Sequence, residues 1–289
     1  MTLNMKKNGT MNSNIQQTDK TQTLLPDLLF HDLGKGVLAF STCRGGGVGI
    51  GPYSSFNINA YCGDSEEHIK RNRSLLLNFL KLDSEHLIMP HQTHGVTVAA
   101  IDAAYFEYND EQRKACLEGV DALITNLRGV CIGVSTADCI PILCYDATCG
   151  IVAAIHAGWR STVGRIVRST IAQMQSIFGS QPANIRAVIC PGISVDAFEV
   201  GDEVYENFAH HGFPMEQLAV RYPAKDGSGE KWHIDLWEAN RLQLLESGVP
   251  SGQISCSGIC TYTHSDKFFS ARKLGIASGR IFNGILLSP

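Results

Sequence analysis

Residues 130–159 read VCIGVSTADCIPILCYDATCGIVAAIHAGW. Val130 to Ser135, Ile140 to Tyr145 and Ile151 to Ile155 are apolar runs of strand length, rich in Val and Ile. The third run delivers its chain straight into a helical pattern. From Trp159 to Phe178 the residues Trp159, Val163, Ile166, Val167, Thr170, Ile171, Met174 and Ile177 recur at the three- and four-residue spacing of one buried face. Working outward, further strand-like runs stand at Val37 to Thr42, His86 to Met89, Val96 to Ile101, Ala122 to Thr125, Ile185 to Cys190, Gln253 to Cys256 and Arg280 to Leu287. Helical patterns occupy Glu66 to Leu82, Gly201 to His210 and Asp235 to Ser247. Strands bunched together, rather than alternating strictly with helices, favour a mixed-sheet α+β architecture over a Rossmann fold. Neither a dinucleotide-binding glycine turn nor a P-loop is present, since Arg44-Gly-Gly-Gly lacks the following Lys-Ser/Thr.

The chain has 289 residues and a formal net charge of −4, so a sizeable single core is available and no basic surplus points to nucleic acid or anionic membrane. Residues 1 to about 24 are rich in Asn, Gln, Thr and Lys and read as a disordered leader. Residues 25–289 show no long linker or short repeat and read as one domain. No stretch is continuously apolar for the ~20 residues of a membrane span and no signal-peptide core is present, which places the protein in the cytoplasm. The ten cysteines then read mostly as reduced, small core residues rather than a disulfide framework.

Three segments carry chemistry. Met89-Pro-His-Gln-Thr-His94-Gly lies in a loop between two strands, Ser135-Thr-Ala-Asp138-Cys139 places an acid and a thiol between two apolar runs, and His156-Ala-Gly-Trp-Arg160 leaves a strand for a helix. Two imidazoles and a thiolate suit a zinc ion and leave a fourth position for water, whose pKa then drops to about 7. Composition does not choose between His91 and His94 as the first imidazole. Each residue also has a plainer reading: a loop histidine bonded to a carbonyl, a core cysteine, a histidine capping the next helix. The start of that helix, with Arg160, could hold an anion.

The ordered set of Arg44-Gly-Gly-Gly, Ser55-Phe-Asn57, Gly63-Asp64, Asn72-Arg73, His91-Gln-Thr-His94-Gly, Asp121-Ala-Leu-Ile-Thr, Thr136-Ala-Asp138-Cys139-Ile-Pro, His156-Ala-Gly-Trp-Arg160, Gly192-Ile, Phe198-Glu-Val and Phe269-Ser-Ala-Arg272 resembles the YfiH/YlmD-type proteins. These were long labelled laccase-domain or polyphenol oxidase proteins and are regarded as purine nucleoside phosphorylases with adenosine deaminase activity. The resemblance implies an α/β/β/α layered single domain and metal ligands His94, Cys139 and His156. It also implies substrate contacts from Asn57, Gln92 and Arg272, and as substrates inosine, adenosine or methylthioadenosine with phosphate. No obligate protein partner follows from it. Gly46-Gly-Val-Gly49 and Asn57-Ile-Asn59-Ala depart from the family's usual Gly-Gly-Val-Ser and Asn-Leu-Gly-like runs, in what the resemblance implies is a substrate loop.

For deamination, Asp138 is the expected proton carrier or, alternatively, the carboxylate that orients a ligating imidazole. For phosphorolysis, Arg44 or Arg160 would hold the phosphate. Two rival chemistries share these residues. A copper-dependent phenol oxidase would use the same donors, although a multicopper site ordinarily needs His-x-His pairs and this chain has none. A cysteine hydrolase would use Cys139 as nucleophile and His156 as base.

Overall fold

Inside the strand Ile140–Asp146, Ile142 and Cys144 join one buried cluster while Leu143 and Tyr145 join another. The same alternation separates Ala153 and Ile155 from Val152 and Ala154 in the strand Ile151–Ala157, and Ala122 and Ile124 from Leu123 in Val120–Thr125. A pleated strand turns successive side chains to opposite faces, and a strand covered on both faces is therefore apolar throughout. This is the origin of the unbroken apolar runs in residues 130–159.

These strands form the middle of a six-stranded sheet in the computed structural model, which describes residues 24–224, 227 and 229–288. The leader expected over residues 1 to about 24 lies, but for its last residue, outside them. The order across this sheet is Ile254–Cys256, Ile185–Ile189, Ile140–Asp146, Ile151–Ala157, Val120–Thr125, Thr97–Ile101. A five-stranded sheet runs Leu28–His31, Val37–Thr42, Ile281–Leu287, Cys131–Thr136, Leu87–Ile88. Leu123, Leu143 and Val152 of the first sheet pack with Ile132, Val134 and Ile285 of the second. The outer faces are closed by helices. Ile166, Ile171 and Met174 of the helix Ile166–Phe178 cover the six-stranded sheet, and Leu76 of the helix Glu66–Leu80 packs with Phe40 and Phe282 of the other. The α/β/β/α mixed-sheet α+β architecture expected from the sequence is thus present, as is every expected strand.

Two features differ from expectation. The helix expected from Trp159 to Phe178 is two helices, Trp159–Val163 and Ile166–Phe178, with Arg165 between them in the left-handed region at φ +65°. Gly164 lies at the break; a Cβ there would stand 2.5 Å from the side-chain atom Val96 Cγ1. The single buried face also ends early, because Ile177 is 52 % exposed. Unanticipated strands add Leu28–His31 to the five-stranded sheet and form a small antiparallel sheet, Glu199–Val200, Glu230–Ile234, Ala219–Pro223. Residues of that hairpin such as Arg221 and Glu230 are exposed while Ile234 and His233 are buried, and with so few covered positions the apolar signal is weak. All ten cysteines are free, but only Cys131, Cys144, Cys190 and Cys260 are buried, so fewer of them are core residues than expected. Among the described residues no helix is long and apolar enough to cross a membrane.

Candidate metal centre

The sheet register explains how three distant segments meet. Ile140–Asp146 and Ile151–Ala157 run antiparallel with Pro141 opposite His156, so Cys139, one residue before its strand, arrives beside the exit of the next one. Val120–Thr125 flanks the other side with Ala122 opposite Ile155, bringing Asp121 to His156. Thr97–Ile101 lies parallel to Val120–Thr125 with Thr97 opposite Val120, and so the loop before Thr97 falls over Asp121. One nitrogen each from His94 and His156 and the Cys139 sulfur lie within 4.8 Å of one another. That spacing lets them close on one ion, whose bonds to nitrogen and sulfur are about 2.0–2.3 Å.

Asp121 organises this convergence. Its fully buried carboxylate accepts from His156 Nδ1 at 2.7 Å and from the amides of His94 at 3.0 Å and Gly95 at 2.6 Å. Holding the proton on Nδ1 leaves His156 Nε2 as the nitrogen free for a metal, the usual arrangement behind a ligating imidazole. Burial opposes the charge on Asp121. The hydrogen bond and charge of His156, with the amides of Gly95 and Thr93, nonetheless hold its carboxyl below the ordinary value. Burial would likewise raise the Cys139 thiol, but the charge and hydrogen bond of His156, assisted by His94, bring it down to about 6. Burial works to lower His156, and the Cys139 thiolate and Asp121 overcome it to raise the imidazole to about 9. A thiolate held in this way is a ready metal ligand.

Two backbone features sharpen the site. His94 and Asp138 adopt φ +64° and +91°, a region non-glycine residues seldom enter and which collects at functional sites. Gly158 is needed for room: a Cβ there would stand 2.9 Å from His94 Cδ2 and 3.2 Å from Cys139 Sγ.

A cavity of about 410 Å³ opens on the three candidate ligands; Tyr61, His91, Gln92 and Arg280 are among its walls, and among the described residues no Asp or Glu is. Gln92 is clamped to the backbone of Ser135, accepting from its amide at 2.7 Å and donating to its carbonyl at 2.9 Å. The other residues singled out from sequence stand back from the cavity. Asn57 is buried behind it, donating to Asp64 at 2.9 Å and accepting from the Arg280 amide at 3.1 Å. Asp138 accepts from the Thr261 hydroxyl and the Arg272 amide, each at 2.7 Å, so both carboxylate oxygens are engaged away from the candidate ligands. Arg272 donates to the Glu199 carbonyl and lies over the Phe198 ring. Arg44 donates to the carbonyls of Ser54 and Ser265, and Arg160 stacks on Trp159. The carboxylate behind a candidate ligand is therefore Asp121, not Asp138, and the arginine on the cavity wall is Arg280, not Arg44 or Arg160. In the sequence Asp121 is an acid in an apolar strand, which signals a buried partner, whereas Arg280 is only a residue at a strand edge.

A His/Cys/His cluster with a carboxylate behind one imidazole, set in an α/β/β/α fold, defines this chain as a candidate single-site metalloprotein. The family model described as multi-copper polyphenol oxidoreductase laccase matches residues 38–288, and the chain belongs to this family, within its YfiH/YlmD-type group. It is 50 % identical over 248 residues to a purine nucleoside phosphorylase of Bacteroides thetaiotaomicron, covering 86 % of this chain and 90 % of that protein. It is 45 % identical over 251 residues to an adenosine deaminase from an unknown prokaryotic organism, covering 87 % of this chain and 94 % of the other. The crystal structure of YfiH from Bacillus licheniformis superposes with a TM-score of 0.81 at 29 % identity, covering 91 % of this chain and 97 % of that one.

Proposed function

We propose that residues 25–289 form a zinc-dependent purine nucleoside enzyme of the cytoplasm. It splits inosine, adenosine and methylthioadenosine with phosphate to free base and the sugar 1-phosphate, and deaminates adenosine. The observation that carries this reading is the convergence of His94, Cys139 and His156 at the wall of one cavity, in a chain similar to a purine nucleoside phosphorylase and an adenosine deaminase. The cavity volume of about 410 Å³ falls in the range of small-ligand sites. Nitrogen and thiolate donors fit zinc, and three of them leave one position open, which is the pattern of a catalytic rather than a structural ion. When bound, zinc supplies a Lewis acid and lowers the pKa of coordinated water to about 7.

The chain's own residues do the rest. Asp121 fixes the tautomer and aim of His156 and tethers the His94 loop. Arg280 meets the phosphate: its guanidinium is oriented by the carbonyls of Ser278, Gly279 and Ile276 at 2.6, 3.0 and 3.0 Å. That pre-alignment lowers the entropic cost of gripping an anion. Gln92, locked to Ser135, gives the nucleoside a rigid wall, and Asn57 supports Asn59 and Arg280 from behind.

Copper would accept the same donors. Among the described residues there is one such cluster, whereas multicopper oxidation needs several ions. The Cys139–His156–Asp121 alignment favours a second reading, a cysteine hydrolase with Cys139 as nucleophile and His156 as base. Metal analysis of the purified protein together with product identification from adenosine, with and without phosphate, separates these. About one zinc per chain and loss of both metal and nucleoside turnover in Cys139→Ala support the zinc enzyme. Full phosphorolysis by metal-free Cys139→Ala refutes it, and alkylation-sensitive activity in a metal-free protein makes it a hydrolase.

A further inference from the structure

Deamination of a purine moves two protons, yet among the described residues no carboxylate lines the cavity. Asp138 has both oxygens engaged elsewhere. With His94, Cys139 and His156 given to the metal, the titratable side chains left on the wall are Tyr61, Cys62, His91 and Arg280. Burial pushes the Cys62 thiol up, the Arg280 guanidinium is engaged with three carbonyls, and the Tyr61 ring lies stacked on His91. Imidazole is the side chain that ordinarily exchanges a proton near neutrality.

His91 is held through both its backbone and its ring. Its amide donates to the Leu117 carbonyl at 3.0 Å, and its carbonyl accepts from the Gly119 amide at 2.9 Å. Its Nδ1 lies 2.8 Å from Glu118 Oε1, and its ring stacks on Tyr61 with centroids 4.1 Å apart. One ring nitrogen is thus committed to Glu118 and Nε2 is left for a group in the cavity. The side chains of His91 and Glu118 are 36 % and 53 % exposed, so the pair reaches from the cavity wall to solvent. A base oriented by a carboxylate at hydrogen-bond distance is the general arrangement of proton-transfer catalysis.

We propose that His91 is the proton-transfer residue for deamination in this cavity and Glu118 its positioning residue, an inference that rests on the purine nucleoside reading above. Water adds through its oxygen to C6 of adenosine, and one of its protons passes to N1. His91 Nε2 then takes the proton of the new C6 hydroxyl and delivers it to N6. The C6–N6 bond breaks and its electron pair departs with ammonia, while the former O–H pair closes the C6 carbonyl. One water is consumed, one ammonia is released, and the imidazole ends as it began.

The test uses the full-length metal-loaded protein, with ammonia release from adenosine and metal content measured for wild type, His91→Asn, His91→Gly and Glu118→Gln. The expected kcat falls about 100-fold in His91→Asn, the lower end of a general acid–base contribution, and about tenfold in Glu118→Gln. KM stays within about threefold and metal content is unchanged, the pattern of an interaction made only in the transition state. Added imidazole restores turnover to His91→Gly in proportion to its concentration, and Glu118→Asp recovers part of what Glu118→Gln loses; a merely structural role gives neither. Wild-type kcat in metal-loaded His91→Asn, or a fall in His91→Gly that imidazole does not relieve, overturns the dyad and leaves the purine reading intact. A wild-type protein that releases no ammonia from adenosine ends the deaminase reading, and the dyad with it.

Discussion

The strand Ile151–Ala157 and the loop of residues 89–95 each bring one imidazole to the same place, by opposite means. His156 is 2 % exposed and belongs to a strand paired on both sides. Its position is fixed by the sheet before any ligand arrives. His94 is exposed, sits in a left-handed backbone conformation and is tied down mainly through amides. Asp121 serves both, bonding the ring of one and the backbone of the other. The lesson is that a site can take its rigidity from one side and its adjustability from the other, provided one buried carboxylate spans the two.

The comparison is broken most severely at Asp121. Asp121→Ala leaves His156 buried without its partner, and removing one member of a buried pair costs on the order of 3–5 kcal/mol; a thermal or denaturant unfolding curve reads this. Asp121→Asn keeps the shape and is expected to lower metal affinity about 10–100-fold, as loss of an outer partner does, measured by competition with a chromogenic chelator. Next comes Gly158→Ala. Its methyl would press on both His94 and Cys139, and weaker metal binding with little change in the unfolding midpoint is expected, because His94 yields while the sheet does not.

A pH titration of chelator-stripped protein sharpens the contrast on the rigid side. Burial alone would raise the Cys139 thiol, but His156 brings it to about 6, while the thiolate and Asp121 lift His156, against burial, to about 9. The stabilisation due to the thiolate is complete above its unfolded value of about 8.5 and is lost as pH falls through about 6. That due to the imidazolium is complete below about 6.5 and is lost as pH rises through about 9. The pair therefore persists from about 6 to 9. The thiolate absorbance of wild type minus that of Cys139→Ala, which removes the other nine thiols from the signal, should hold across that window and fall below it; a midpoint near the ordinary thiol value would show that the pair does not form. The smallest effect on metal binding is expected from His91→Ala, which should retain the full metal content whatever its turnover; zinc loss there would show that His91, not His94, is a ligand.

Much of this architecture was legible because burial writes itself into composition. Strands covered on both faces, such as Ile140–Asp146, carry Ile, Leu, Val and Cys in unbroken runs and were located to within two residues. The hairpin of Ala219–Pro223 and Glu230–Ile234 buries only its end, at His233 and Ile234, and left too short an apolar run to read. The break at Gly164 was hidden for another reason, since it is made by the left-handed conformation of Arg165, a residue type that does not signal one. At the site, the three candidate ligands emerged from family likeness rather than spacing, while the parts played by Asp121, Arg280 and the His91–Glu118 pair depend on strand register. Periodicity reports what a residue is buried against in general, not which distant residue it meets.

The unequal mounting of the two imidazoles also sets how an ion would come and go. Release would unlatch the 89–95 segment, the hinged jaw of the clasp, whereas the jaw carrying His156 stays bolted to the central sheet. Amide hydrogen exchange on stripping the metal should therefore quicken at residues 93–95 and remain slow along Ile151–Ala157, so that the emptied protein keeps its shape and waits, half assembled, for the next ion.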